Sequence, residues 1–285
     1  VMDWVSQAVG RRSYGCDIVF EVMSIEDRDG VNFAWLVGRD VRLIADAPLD
    51  DLELMSERQL EEVDEQLRQK KKSLQPAESS GKREDEDART FHLPGRVLHL
   101  DGDERYLKKC MKAYTELQVP HIGIHCAEKE MAECVKELLN QYQPQILVLT
   151  GHDAYLSGQG DKNDLSAYRH STAFVKAVQE ARRKMPNLDQ LVIFAGACQS
   201  HFESLIHAGA NFASSPLRVN IHALDPAYAA GRISYTPFKD SFSIRDLLPY
   251  TLASDEGIGG IETRGVLRTG MPYRAEIYTK TGNDT

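Results

Sequence analysis

Two short apolar runs each stop at a side chain able to do nucleophilic or proton-transfer chemistry. Ile146, Leu147, Val148 and Leu149 lead through Thr150 and Gly151 to His152 and Asp153, and Leu191, Val192, Ile193 and Phe194 lead through Ala195, Gly196 and Ala197 to Cys198. Continuous apolar runs of this length bounded by glycine read as buried parallel strands, and ligands bind beyond the carboxyl ends of such strands. The 46 residues from His152 to Cys198 leave room for one crossover through a helix, so the strands can be neighbours and the imidazole and thiol can face one crevice. A thiol attacks as its thiolate and is only partly ionised near neutrality, so a nearby imidazole is the partner this chemistry needs.

Beyond Cys198, Ser200 and Glu203 have capping-box spacing ahead of Phe202, Leu205 and Ile206, and Gly209 closes the run. This predicts a helix whose N-terminus lies just after Cys198, where the dipole and free N–H groups favour a thiolate and an oxyanion. The competing reading makes Cys198 a packing thiol between strand and helix and His152 a loop histidine. Their arrival at two strand ends of one sheet favours a Cys-His dyad.

The elements that would position this pair follow from residue 95 onward. Strands are expected at 96–100, 121–125, 145–149 and 190–195, with a last one at 219–223, and helices at 103–117, 128–142, 168–184 and 200–208. The alternation predicts a parallel-sheet α/β/α sandwich. A polar loop at 156–163, with Gly158 and Gly160, follows His152 and is the natural place for substrate contacts. Further on, 238–252 reads as partly helical and Gly257, Ile258, Gly259 and Gly260 as a turn or loop. Ahead of the sandwich, β-rich runs at 18–22, 33–37 and 41–44, punctuated by Asp29, Gly30 and Gly38, predict a small SH3-like β-barrel that binds a partner or shields the rest. A charged helix at 50–74 leads into a polar stretch at 75–90 that has too little apolar surface to order itself. The expected division is 1–50 for the small barrel, 51–94 for charged helix and flexible linker, and 95–285 for the α/β domain.

Composition narrows the function further. A formal net charge of −9 and a pI near 5.5 argue against a general polyanion binder, so no nucleic-acid partner is expected. Five cysteines without paired spacing indicate neither a disulfide framework nor a zinc site, and fit a reducing compartment. No start resembling a signal peptide and no membrane-length apolar run is present in the sequence, so a cytoplasmic location without membrane association is expected. His121, His125, Cys126, His152 and His201 lack ligand spacing, and the glycines at 257–260 lack a following Lys-Ser or Lys-Thr, so no metal and no cofactor are expected. Leu98, His99, Leu100, Asp101, Gly102 and Asp103 give the acidic strand end of a phosphoacceptor receiver. The strand ending at Thr150 and Gly151 presents His152 where a receiver presents an aspartate, so Asp101 and Asp103 read more simply as a turn and a helix N-cap.

His152 and Cys198, each after an apolar strand, resemble the caspase, gingipain, clostripain and legumain clan of cysteine peptidases. The runs at 41–46, 96–103, 149–153 and 196–200 more closely resemble the sporulation-specific cysteine peptidases of the YabG family, across nearly the whole chain. The resemblance implies a caspase-like fold and an endopeptidase of the mother cell of a sporulating bacterium, at or near the spore coat. Its expected partners are protein substrates, namely spore coat, cortex-lytic and germination-related proteins, with cleavage after arginine and self-processing. By motif, Cys198 carries over as nucleophile and His152 as general base. In the wider clan a glycine directly follows the histidine, whereas here Gly151 precedes it and Asp153 follows. Gly151 and Asp153 are therefore candidates for oxyanion or orienting roles, with the N–H of Cys198 the better oxyanion donor. Asp153, Asp161 and Asp164 stay equally open as partners of a substrate guanidinium. Arg68, Arg83 and Arg89, in or next to the linker, are the expected self-cleavage sites. The alternative is a non-catalytic coat or signalling scaffold with a receiver-like α/β domain.

Overall fold

Alternating apolar residues in the first fifty positions pair into an antiparallel sheet, and the continuous apolar runs after residue 95 pair into a largely parallel one. The computed structural model describes residues 4–74, 90–253 and 255–271. The first sheet contains β1 (Ala8–Arg11), β2 (Phe20–Arg28), β3 (Val31–Gly38), β4 (Ile44–Pro48) and β5 (Leu52–Leu54), in the order β4-β3-β2-β1-β5. Asp29 and Gly30, at φ 54° and 82°, make the tight turn from β2 to β3. Val9, Phe20, Val22, Ala34, Leu36, Ala47 and Leu52 form the core of this unit. Helix α1 (Glu57–Leu74) begins later than the sequence suggests, because residues 52–54 pair with β1 instead. Ser56 and Gln59 cap it reciprocally, the Ser56 N–H donating to Gln59 Oε1 at 2.9 Å and the Gln59 N–H to Ser56 Oγ at 3.3 Å.

The chain continues through β6 (Phe91–Leu93), β7 (Val97–Asp101), α2 (Glu104–Glu116), β8 (His121–His125), α3 (Met131–Tyr142), β9 (Ile146–Thr150), α4 (Ser171–Lys184), β10 (Val192–Ala195), α5 (Phe202–His207), β11 (Phe212–Ser214) and α6 (Asp225–Ser234). It ends with β12 (Ser241–Phe242), α7 (Ile244–Leu247), β13 (Ile258–Gly260), β14 (Thr263–Arg264) and β15 (Arg268–Gly270). The large sheet has six strands in the order β13-β11-β10-β9-β7-β8, and only β13 runs antiparallel to its neighbour. Two small pairs, β12 with β14 and β15 with β6, add to these sheets, and isolated bridges join Val41 to His222, Tyr155 to Tyr168 and Pro237 to Leu267.

Side-chain alternation divides the core of this unit in two. Val97, Ile146, Val148, Val192 and Phe194 point to the face covered by α2 and α6, while Leu98, Leu100, Leu147, Leu149 and Ile193 point to the face covered by α3, α4 and α5. The chain enters at β7, steps to β8 on one side, then returns to β9 on the other. That reversal opens a crevice beyond the carboxyl ends of β7 and β9.

Three expectations are corrected. Residues 219–223 form no strand of the sheet. The position beside β10 is taken by β11, whose three residues are too short to show a period. The glycine-rich stretch at 257–260 is largely strand β13, paired with β11, not a turn. Glycine is needed there for close approach: a Cβ on Gly260 would lie 2.5 Å from Asn211 O, and one on Gly259 2.7 Å from the Phe202 ring. Gly260→Ala is accordingly expected to destabilise the fold by about 1–3 kcal/mol in urea unfolding. Third, α5 starts at Phe202 with His201 as its cap, His201 Nδ1 accepting from the Ser204 N–H at 3.3 Å. Ser200 is not the cap because its hydroxyl turns back to the loop that carries Cys198.

Candidate active site

β9 and β10 pair directly, Leu149 opposite Ala195, so the loops bearing His152 and Cys198 leave neighbouring strands at the same end. The turn after β10 depends on two left-handed residues, Gly196 at φ 103° and Gln199 at φ 56°. Ser200 Oγ accepts the Ala197 N–H at 2.9 Å and donates to Asp153 Oδ2 at 2.9 Å. Asp153 also accepts from Ser171 Oγ, from the His170 N–H at 2.8 Å and from the Ala154 N–H at 2.9 Å. Its carboxylate therefore ties the histidine loop to the cysteine turn and to the start of α4, and it is bonded to none of the His152 ring atoms. Burial pushes the Asp153 carboxyl up against these hydrogen bonds.

The His152 imidazole is held from α2. Nε2 lies 2.9 Å from Asp103 Oδ2, and Asp103 simultaneously caps α2 by accepting the Arg105 N–H at 2.8 Å. Burial of Asp103 is outweighed by its bonds to His152 and Arg105, which hold the carboxyl well below the usual carboxylate range. With Nε2 engaged, the other ring nitrogen, Nδ1, is buried and has no hydrogen-bond partner among the described residues. The backbone of His152 is clamped as well. Its N–H donates to Glu128 Oε1 at 2.8 Å and its carbonyl lies 2.7 Å from His170 Nδ1. Gly151 permits this clamp, since a Cβ there would sit 2.3 Å from Glu128 Oε1.

Cys198 is wholly buried. The Ile221 N–H points at its sulfur at 3.3 Å. Burial pushes the thiol up to about 11, against the Ile221 N–H, the Arg42 guanidinium and the Arg42 N–H, which all favour the thiolate. Tyr106 stands beside the imidazole: its ring meets the His152 ring edge-on at 5.7 Å between centroids, and burial raises its phenol above the ordinary range. Asp161 and Asp164 are exposed and bonded within their own loop, Asp161 to Asn163 at 2.8 Å and Asp164 to the Ser166 hydroxyl at 2.7 Å.

The sequence reading missed the second duty of Asp103, and it missed Tyr106, Glu128 and Arg42 altogether. The acidic strand end at 101–103 was the available signal for the first. His99, Asp101 and Cys110 each present a ligand atom within 4.8 Å of the others, the usual spacing of a metal site. The Arg42 guanidinium lies among them, 2.8 Å from Asp101 and 3.5 Å from Cys110, so a fixed cation already meets the charge of this cluster.

Among the described residues no helix is long and apolar enough to cross a membrane. Residues 4–272 match the family described as YabG peptidase U57. Over 285 aligned residues the chain is 51% identical to the sporulation-specific protease YabG of Bacillus subtilis (strain 168), covering 95% of this chain and 98% of that one.

Proposed function

Because this chain belongs to the YabG peptidase family, we propose that it is a cysteine endopeptidase of sporulation in which Cys198 is the nucleophile and His152 the general base. The observation that carries the reading is the imidazole: Nε2 fixed by Asp103, Nδ1 buried and without a hydrogen-bond partner among the described residues, in the loop after the strand that pairs with the one leading to Cys198. With Asp103 holding the proton on Nε2, Nδ1 is the basic nitrogen. It takes the thiol proton as the sulfur attacks the scissile carbonyl, and the Cys198 N–H stabilises the oxyanion. The imidazolium, stabilised by Asp103, returns the proton to the leaving amine. Nδ1 then activates water to hydrolyse the thioester. Asp153 acts through Ser200 on the turn that aims the sulfur.

The finer reading is cleavage after arginine in spore coat, cortex-lytic and germination proteins, within the mother cell. The strand order with one antiparallel edge supports a caspase-like sandwich, and the five-stranded sheet an SH3-like unit. Self-processing would use Arg68, on α1 and 3.7 Å from Glu65, or Arg83 and Arg89, which lie outside the described residues.

The test uses internally quenched peptides varied at the residue before the scissile bond, with untreated protein and protein exhaustively alkylated under mild denaturation and refolded. Cleavage after arginine that disappears on alkylation is the expected result. Hydrolysis insensitive to alkylation, or none by untreated protein even after proteolytic activation, refutes the reading. Asp103→Asn keeps the helix cap but releases the tautomer, so kcat should fall by about 10²–10⁴ at neutral pH, with a displaced acidic limb in the pH profile. An unchanged pH profile would reduce Asp103 to a helix cap.

A further inference from the structure

The strip of chain that holds the Cys198 sulfur is paired with a segment from the first unit. Between β3 and β4 the chain reaches across to the α/β unit, where Val41 forms an antiparallel bridge with His222 and the Ala223 N–H donates to Asp40 O at 2.8 Å. The strip it pairs with, 221–223, is the one whose first N–H touches the Cys198 sulfur. Beyond the bridge, the Arg42 side chain runs into the crevice at the carboxyl end of β7 and is 1% exposed. Its guanidinium meets both Asp101 carboxylate oxygens at 2.8 Å, donates to Ala223 O at 3.1 Å, and stands 5.0 Å from the Tyr106 ring centre. Tyr106 Oη secures the approach, 2.5 Å from Gly38 O and 2.9 Å from Val41 O.

Each feature is what a peptidase specific for arginine would present to a substrate. An extended peptide adds as a strand to a free backbone edge, and its side chains enter pockets alongside. A buried carboxylate that takes both guanidinium arms, a carbonyl and an aromatic face select arginine over lysine, whose single ammonium cannot span them. The pairing also sets the residue in the pocket beside the strip whose Ile221 N–H touches the Cys198 sulfur at 3.3 Å.

We propose, resting on the cysteine-peptidase reading, that Asp101 is the base of the pocket for substrate arginine and that Asp40, Val41 and Arg42 occupy the cleft as a built-in substrate mimic that keeps the enzyme latent. The chain after Arg42 distinguishes the mimic from a substrate. The Leu43 N–H folds back to Val41 O at 2.8 Å and Leu43 O accepts the Gly38 N–H at 2.8 Å, so the chain leaves the cleft immediately instead of extending past the sulfur. Substrate and mimic exclude each other, and activity requires the 40–42 segment to withdraw.

The experiment uses the full chain and two readouts: the rate at which iodoacetamide alkylates Cys198, followed by mass spectrometry of its peptide, and turnover of acetyl-Asp-Val-Arg and acetyl-Asp-Val-citrulline coumarin amides. Arg42→Ala should raise both the alkylation rate and the initial arginine-peptide rate by about tenfold or more by freeing a local closure. Gly38→Ala tests the same point without touching the pocket, because its Cβ would lie 2.2 Å from Val41 O and displace the loop. It should move both readouts in the same direction even if Arg42→Ala fails to fold. Asp101→Asn should erase the preference for arginine over citrulline. Alkylation as fast in wild type as in both loop variants, or an arginine preference that survives Asp101→Asn, overturns the proposal while leaving the peptidase reading intact. Faster alkylation in the loop variants with no peptide turnover in any of them refutes the peptidase reading instead, and the pocket assignment with it.

Discussion

Cys198→Ala is expected to lower kcat/KM on arginine peptides by about 10⁴-fold or more, because in the proposed mechanism Cys198 forms the acyl bond and removing a nucleophile costs as much as removing its whole catalytic unit. Its thermal unfolding should remain close to wild type. The sulfur fills a small buried space and makes only weak hydrogen bonds, among them one from the Ile221 N–H at 3.3 Å and one to Ile221 O at 3.8 Å, so its loss should cost about 1 kcal/mol. The contrast between a collapsed rate and an intact fold is the result to look for, by peptide hydrolysis and differential scanning calorimetry on the same preparation. A variant that still cleaves at wild-type rate would remove Cys198 from the chemistry. His152→Ala should fall nearly as far, and the double substitution little further.

Asp101→Ala is expected to give the largest loss of stability, about 3–5 kcal/mol, since it leaves the Arg42 guanidinium buried without its counter-charge. Arg42 and Asp101 side chains are both wholly inaccessible to solvent. Removing both together, in Arg42→Met/Asp101→Ala, should restore much of the loss, so that a double-mutant cycle in urea shows strong coupling. Additive losses would show that the pair is not the source of the effect. The pH dependence carries a definite sign. Burial would raise the Asp101 carboxyl, but Arg42 and His99 overcome it and hold it far below its ordinary range. A carboxyl depressed in the folded state contributes stability above its unfolded pKa of about 3.9, and that contribution fades as pH falls through the interval beneath it. Wild type should therefore lose more stability on acidification than the double variant, measured by urea unfolding between neutral pH and about pH 3.

The strand ends bearing His152 and Cys198 were legible because apolar runs closed by glycine carry their own boundaries, and β9 and β10 pair in register. The order of helices and strands from 97 to 207 was legible for the same reason. β11 and β13 were not: three residues carry no period, and glycine at 259 and 260 is there for close approach, where composition suggests a turn. Asp103 was readable as a cap, which it is, but a cap uses one oxygen and leaves the other available to His152. Arg42 lies 59 residues from Asp101 in a run that reads only as a strand. Nothing in local pattern distinguishes an arginine aimed at solvent from one aimed across a gap into another sheet. Asp161 and Asp164 attracted attention by position in the loop after His152, whereas their carboxylates are spent on local turns.

The bridge between Val41 and His222 joins two parts of a single polypeptide. Competition for the crevice is therefore unimolecular, and a tethered competitor acts at an effective concentration on the order of millimolar, whatever the amount of protein present. Dilution cannot relieve it, so a freshly made molecule is equally restrained alone or crowded. Severing the connection between the two sheets changes the order of the process. The competitor then obeys mass action, and the fraction of unblocked molecules rises as the protein is diluted. A cut chain would thus respond to its own abundance, being most restrained where it is most concentrated.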